Sequence, residues 1–135
     1  IKLDPELASA YILRGNSYRI LDGNQWAIED FDEAIKLDPE DANAYYNRGG
    51  SYSLLDQYQR AIEDFDEAIK LNPEDARAYQ GRGIAYQLLG QNEQAERDFA
   101  KAKELGYEER YEGDRDHMKF HLDCVEFSKF SNKLG

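Results

Sequence analysis

Apolar and small residues recur along this chain at intervals of three and four, which is the spacing of one face of an α-helix. Tyr11, Gly15 and Tyr18 form the first such face, and Ala27 and Phe31 begin a second one after a polar break. Later stretches are separated by prolines, and the residue before a proline is disfavoured in the α region, so the helices end there. The pattern predicts six helices, at residues 8–21, 25–37, 42–55, 59–71, 76–89 and 92–105.

The same pattern repeats with a fixed period along the chain. When residues 8–41 are laid over 42–75, 24 of 34 positions are identical, and 15 of 34 match when 42–75 is laid over 76–109. A fixed period of this length is typical of a solenoid, in which each unit buries its apolar face against its neighbours. Such folds offer a concave binding surface, so the sequence favours a non-catalytic binding module over an enzyme.

The constant positions of the repeat carry a family resemblance. Each copy opens with Ala-x-Ala-Tyr, continues with Arg-Gly and a second Tyr, and then carries Ala, Asp-Phe and Ala; two copies end in Pro. The chain therefore resembles the tetratricopeptide repeat family, whose helix–turn–helix unit has aromatic, Gly, Ala and Pro landmarks at this spacing. One departure is regular: Arg precedes the Gly in every copy, where the family more often has Leu. These arginines are Arg14, Arg48 and Arg82.

The resemblance implies an all-α fold, a right-handed superhelical solenoid of helix–turn–helix units with a C-terminal capping helix. Residues 1–6 repeat the IKLDPE sequence of residues 35–40, so residues 1–7 are interpreted as the tail of a preceding unit. Residues 110–135 lose the landmarks but keep an apolar stripe that includes Phe127, which predicts the cap. Docking of this stripe on a second chain is the alternative interpretation. The predicted units are residues 8–41, 42–75 and 76–109.

The amino-acid composition argues against two classes of binding partner. The formal charge is −11 and 33% of residues are charged, whereas nucleic acids and anionic membranes need a basic surface. We therefore expect neither as a direct partner. The sequence has no apolar run of about 20 residues, the length of a membrane-spanning helix. A single cysteine, Cys124, argues against internal disulfides and favours a reducing, cytoplasmic location. No motif calls for a cofactor.

In this family the first helices of the units line the inner groove, and the second helices line the outer face. The resemblance therefore implies that variable positions of the first helices contact a ligand, because they differ between copies while the landmarks barely change. We expect a scaffold that binds an extended peptide or a helix of a partner protein in this groove. The predicted groove residues are Ser9, Ile12, Leu13, Asn16, Arg19, Asn43, Tyr46, Asn47, Ser53, Arg77, Gln80 and Gln87.

A sharper hypothesis is a carboxylate clamp of the kind found in tetratricopeptide co-chaperones, which grips the C-terminal carboxylate of a chaperone peptide. Asn16, Asn47 and Arg77 match the pattern implied by that resemblance. Ile12 and Gly81 stand where two further cations belong. Charge-assisted hydrogen bonds are roughly twice as strong as neutral ones, so a clamp without these cations is expected to be weak.

The arginine row has a matching aspartate row. Each landmark Asp lies 16 residues after the Arg of its own copy, on the second helix, which predicts an ion pair across every helix hairpin. A ligand-binding row of arginines is the alternative. The acidic clusters of the second helices are expected to form a solvated outer face or to dock a basic partner. The acidic clusters are Glu29, Asp30, Asp32 and Glu33, and Glu63, Asp64, Asp66 and Glu67.

Three further features have competing interpretations. His117, His121 and Cys124 fall on one helical face and could ligate zinc, although no second ligand pair accompanies them. The alternative is that His121 and Cys124 belong to the apolar face of the cap. Trp26 is not a landmark and is expected to pack toward a preceding unit. The open N-terminal face or the apolar last helix could also pair copies of this chain into a homo-oligomer.

Overall fold

The computed structural model of this chain describes residues 4–108, which form six α-helices without a strand. The helices are α1 (Pro5–Ile20), α2 (Asn24–Leu37), α3 (Ala42–Leu54), α4 (Tyr58–Leu71), α5 (Ala76–Leu88) and α6 (Asn92–Glu104). Each odd-numbered helix packs on the next helix of its own unit, and α2 and α4 also pack on the first helix of the following unit. The first helices contact one another as well, so the units stack into the predicted all-α solenoid.

The start of each first helix depends on an aspartate cap. Asp41 and Asp75 precede α3 and α5 and accept hydrogen bonds from backbone N–H groups of the first turn, which lack partners within a helix. Leu7 occupies the equivalent place before Ala8 and has no acceptor. Asp4 caps α1 instead, and Pro5 takes the first helical position, where its missing N–H costs nothing. Helix α1 therefore begins three residues earlier than the sequence pattern predicts.

The turns inside the three hairpins share one backbone conformation. Asp22, Asp56 and Gly90 are spaced by 34 residues and have φ angles of 65°, 60° and 79°, in the left-handed region. The residue after each of them donates a backbone hydrogen bond to the carbonyl of the landmark Tyr, as when Gln57 N lies 2.9 Å from Tyr52 O. This geometry terminates the first helix and starts the second one two residues later.

The core lies between the two helices of each unit and between units. Ala27, Phe31 and Ala34 of α2 are fully buried, and a Cβ built on Gly15 would lie 2.6 Å from Cε1 of Phe31. The glycine thus lets the phenylalanine ring lie directly on the α1 backbone. The same Gly–Phe contact recurs in the other two units, which explains why both residues are constant.

Several predictions fall beyond residue 108. The capping helix, its apolar stripe and the zinc hypothesis for His117, His121 and Cys124 lie outside the described residues. Among residues 4–108, none of the helices combines the length and the apolar character needed to cross a membrane.

Candidate functional site

The first helices α1, α3 and α5 lie side by side and bring residues of neighbouring units together. Arg77 lies in the first turn of α5, and its Nη2 atom donates a 3.3 Å hydrogen bond to Oδ1 of Asn43 on α3. The guanidinium carbon of Arg77 lies 4.7 Å from the ring centroid of Tyr46, a cation–π distance. Three predicted groove residues from two units therefore form one cluster, which is called the Arg77 cluster below.

Arg77 is held in place but is not covered. Its Nη2 atom also lies 3.0 Å from Oδ2 of Asp75, and this hydrogen bond raises the pKa of Arg77 above its ordinary value. The side chain is still 54% exposed. A guanidinium has five N–H donors, so Arg77 keeps donors for an incoming carboxylate while Asp75 and Asn43 fix its orientation.

A second arginine lies farther along the same layer. Arg19 of α1 reaches toward α3, and its Nη1 atom would be 3.1 Å from a Cβ built on Gly50. Gly50 lies seven residues after Asn43, which corresponds to about 10 Å along a helix. The two arginines therefore approach α3 at points roughly two turns apart.

Two polar atoms of the predicted groove have no partner. Oδ1 of Asn16 and Oγ of Ser53 are buried and accept or donate no hydrogen bond within the described residues. Both residues lie in the first-helix layer, like the two arginines.

The remaining predicted groove residues divide by exposure. Asn47 is 9% exposed and is the one buried residue among the predicted groove residues. Its equivalent in the next unit, Gly81, shows why: a Cβ there would lie 2.8 Å from the Phe65 ring of the preceding unit, so this position lies between units. Leu13 is its equivalent in the first unit and is 69% exposed. Ser9 and Gln87 are exposed, and Ile12 and Gln80 are half-buried.

The predicted Arg–Asp pairs are confirmed in all three units. In the second unit, Nε and Nη2 of Arg48 donate to the two carboxylate oxygens of Asp64 at 2.8 and 2.7 Å. Burial raises the pKa of Asp64 above its ordinary value, and the hydrogen bonds from Arg48 oppose that rise. The guanidinium also lies 5.7 and 6.0 Å from the ring centroids of Tyr45 and Tyr52. The equivalent pairs are Arg14–Asp30 and Arg82–Asp98.

The sequence prediction missed a second ion pair made by these arginines. Nη1 of Arg48 donates to Asp32 of the preceding unit at 2.8 Å, and Arg82 donates to Asp66 at 2.9 Å. The signal was present, because Asp32 and Asp66 each lie 16 residues before the arginine that binds them. Because all three nitrogens of each guanidinium bind carboxylates of the chain itself, Arg48 and Arg82 are structural residues and not a ligand-binding row.

These pairs also correct the picture of a uniformly solvated acidic outer face. Asp30 and Asp64 are 4% exposed and belong to the packing between helices. Asp32 and Asp66 are about half exposed and bind the arginine of the next unit. The four glutamates of the two clusters are at least partly exposed; they are Glu29, Glu33, Glu63 and Glu67.

Trp26 lies beside a tyrosine of its own unit. Its ring centroid lies 5.7 Å from that of Tyr18, a residue of its own unit, and the side chain remains 61% exposed. Arg60 occupies the equivalent place over Tyr52 in the second unit and is exposed although a unit precedes it. Both side chains therefore lie beside the landmark Tyr of their own unit and are exposed to solvent.

Comparison with protein families gives three overlapping matches. The tetratricopeptide repeat model matches residues 42–75, a second tetratricopeptide repeat model matches residues 65–97, and a model described as TPR repeat matches residues 24–56. Among curated proteins there is no match.

Solved structures show the same fold. The first TPR domain of Spaghetti (RPAP3), bound to the HSP90 peptide SRMEEVD, is 25% identical with a TM-score of 0.78, over 93% of this chain and 98% of that one. The second TPR domain of the same protein, bound to the same peptide, is 29% identical with a TM-score of 0.73, over 75% and 94%. MamA is 36% identical with a TM-score of 0.71, and the match spans 76% of this chain but only 60% of MamA.

Proposed function

Because this chain belongs to the tetratricopeptide repeat family, we propose that it is a protein-interaction scaffold that binds an extended, acidic peptide across α1, α3 and α5. The Arg77 cluster carries this proposal. It joins a partly exposed guanidinium, an amide and an aromatic ring from two units on one surface. An arginine that is already oriented loses less side-chain entropy when it binds a carboxylate.

The charge distribution supports an acidic ligand. The chain has a formal charge of −11, yet its predicted groove residues include two arginines and no carboxylate. Arg19 and Arg77 approach α3 at points about 10 Å apart, a spacing that three to four residues of an extended peptide cover. Carboxylate side chains of the ligand would thus pair with the two arginines.

The mode of recognition differs from a carboxylate clamp. The two Spaghetti domains bind SRMEEVD, a peptide with two glutamates and a terminal aspartate. In this chain Ile12 and Gly81 replace two cations of a clamp, and Asn47 is largely buried. We therefore expect the acidic side chains of a ligand to contribute more to affinity than its C-terminal carboxylate.

Fluorescently labelled SRMEEVD is the probe, measured by anisotropy against the parent chain. The Glu-to-Gln peptide SRMQQVD should bind about tenfold more weakly, whereas amidation of the C-terminus should have a smaller effect. Arg77→Ala should weaken binding by a similar factor. Arg97→Ala is the matched control, since Arg97 is an exposed arginine on α6, in the opposite layer.

Each outcome has a clear meaning. Loss on Arg77→Ala with retention in Arg97→Ala supports the groove. Loss confined to the amidated peptide would overturn the proposed mode and favour a clamp. Equal binding by the parent and the Arg77→Ala variant would overturn the groove as the binding site.

A further inference from the structure

The guanidinium of Arg77 already binds a carboxylate of the chain itself. Nε of Arg77 donates to Oδ1 of Asp75 at 3.1 Å, and Nη2 donates to Oδ2 at 3.0 Å. Bidentate pairs of this kind are among the strongest hydrogen-bonded contacts that arginine makes. Nη2 also donates to Oδ1 of Asn43. Asp75 therefore occupies, from within the chain, the edge of Arg77 that suits an acidic ligand best. This edge is called the Nε–Nη2 edge below.

Asp75 is held in place by contacts other than this ion pair. Its Oδ1 atom accepts a 3.0 Å hydrogen bond from the backbone N–H of Arg77 and thereby caps α5. Its own N–H donates to the carbonyl of Asn72 at 3.3 Å, and its carbonyl accepts from N of Ala78 at 3.2 Å. The Asp75 side chain is 11% exposed. A ligand that displaced this carboxylate would also break the cap, so we expect Asp75 to stay beside the guanidinium when a ligand binds.

The equivalent cap of the second unit shows that capping and ion pairing are separate roles. Asp41 precedes α3, and its Oδ1 atom accepts from N of Asn43 at 3.0 Å, just as Asp75 accepts from N of Arg77. Because residue 43 is an asparagine, Asp41 has no guanidinium two residues later in the chain. Of these two aspartates, Asp75 alone adds a charge contact with a predicted groove residue.

The remaining donors of Arg77 lie beside a negative charge. Nη1 carries two of the five N–H groups of a guanidinium, and within residues 4–108 it has no hydrogen-bond partner. A ligand carboxylate on Nη1 would share the guanidinium with the carboxylate of Asp75, and the two like charges repel. At about 4 Å, such repulsion lowers an affinity roughly fivefold in bulk water and more near a protein surface, where the effective dielectric constant is lower.

This repulsion outweighs the help that Asp75 gives by orienting the arginine. Ordering one long side chain costs about twofold to tenfold in affinity, so an oriented Arg77 favours binding. Asn43 and Tyr46 contact the same guanidinium, however, and both contacts are independent of Asp75. Loss of the charge at position 75 would leave Arg77 oriented and would remove the repulsion.

We propose that Asp75 is an internal competitor of the acidic ligand, which occupies the Nε–Nη2 edge of Arg77 and lowers the affinity of the groove for acidic peptides. This inference rests on the proposed function. It adds that a ligand carboxylate binds Nη1 in the parent chain, and that removal of the negative charge at position 75 opens the Nε–Nη2 edge and strengthens binding.

The test variant is Asp75→Asn, with labelled SRMEEVD as the probe and anisotropy as the measurement. Asparagine is isosteric with aspartate and caps a helix about as well, so α5 keeps its cap while the charge is lost. Asp41→Asn is the matched control, because it changes the net charge equally at the equivalent cap of α3. Asp75→Asn combined with Arg77→Ala shows whether the effect depends on the arginine. Circular dichroism verifies that every variant is folded.

Asp75→Asn should bind SRMEEVD about fivefold more tightly than the parent, whereas Asp41→Asn should bind like the parent. The gain should fall below about twofold with SRMQQVD and should vanish when Arg77→Ala is also present. These two comparisons separate competition for Arg77 from a general change in stability, which would affect both peptides alike.

The failure of this inference differs from the failure of the proposed function. If Arg77→Ala weakens binding but Asp75→Asn does not strengthen it, the internal competitor is overturned and the groove remains the binding site. An equal gain in Asp41→Asn would also overturn the competitor, since the cause would be net charge alone. Binding that is unaffected by Arg77→Ala, or absent from both the parent and Asp75→Asn, would overturn both proposals.

Discussion

Nη1 of Arg48 donates a 2.8 Å hydrogen bond to Oδ1 of Asp32, a residue of the preceding unit. The same guanidinium binds Asp64 of its own unit through its other two nitrogens. One side chain therefore joins three helices, α2, α3 and α4. In a solenoid, the free energy of unfolding is approximately the sum of contributions from contacts within units and from contacts between neighbouring units. Arg48 contributes to both kinds of contact.

Arg48→Ala should destabilise the fold strongly. It leaves the carboxylate of Asp64 buried and unpaired, and breaking a buried pair in this way costs about 3 kcal/mol. Arg14→Ala should cost less, because Arg14 has a single carboxylate partner and is 60% exposed. Urea unfolding followed by circular dichroism measures both variants. An Arg48→Ala variant as stable as the parent would contradict this account of the ion pairs.

Glycine-to-alanine substitutions should separate packing from helix propensity. A Cβ on Gly83 would lie 2.7 Å from the Phe99 ring and 3.2 Å from Cβ of Asp98, so Gly83→Ala should destabilise the third unit by about 1–3 kcal/mol. Gly50 meets only the mobile tip of Arg19, and Gly50→Ala should be neutral or stabilise by up to about 1 kcal/mol. Thermal unfolding of the two variants tests the sign of each effect.

Because Gly90 has a left-handed backbone conformation, a substitution there is expected to lower the free energy of unfolding through backbone strain alone. Its φ angle is 79° and a Cβ there would meet nothing within 4 Å. Gly90→Ala should therefore cost about 1 kcal/mol without any steric clash. Gly90→Asp should cost less, because Asp tolerates this conformation and already adopts it at positions 22 and 56. Equal losses in the two variants, measured by urea unfolding, would show that something other than backbone conformation is responsible.

Alkaline pH should lower the stability of the second unit, because the hydroxyl of Tyr58 ionises more readily in the unfolded chain. Burial and the 2.6 Å hydrogen bond that its hydroxyl donates to Asp56 raise the pKa of Tyr58 well above its ordinary value. Since the folded pKa is the higher one, the stabilisation is complete below about pH 10, the unfolded value, and is lost as pH rises beyond it.

The matched variant is Tyr58→Phe, which removes the titrating hydroxyl and keeps the ring. It should be less stable than the parent by about 1 kcal/mol at neutral pH, because the hydrogen bond is lost. The difference in the free energy of unfolding between the parent and Tyr58→Phe should shrink by about 1 kcal/mol by pH 11. Only the parent has a hydroxyl at position 58, and its ionisation in the unfolded state favours unfolding at high pH. Unfolding curves at both pH values give the comparison, in which the other tyrosines cancel. A difference independent of pH would refute the raised pKa.

Much of the fold followed from the sequence because it depends on local periodicity. The six helices and the Arg–Asp pairs within units both follow from residues that recur at a fixed spacing. Helix α1 begins at Pro5 and not at residue 8, because Leu7 replaces the capping aspartate of the other units and Asp4 serves as the cap instead. The prediction of the groove residues depends on a family resemblance, which places helices but does not determine how deeply the Asn47 amide is buried.

The sequence by itself determined the repeat, the family and the residues that hold each hairpin together, because such contacts join positions at constant separation within a unit. Only the tertiary structure decided what happens between units. It buried Asn47, joined Arg77 to Asn43 and Tyr46, and gave Arg48 a second carboxylate. The physical reason is that packing between units depends on the angle and distance at which whole hairpins stack, and these arise from the combined volumes of side chains on both helices.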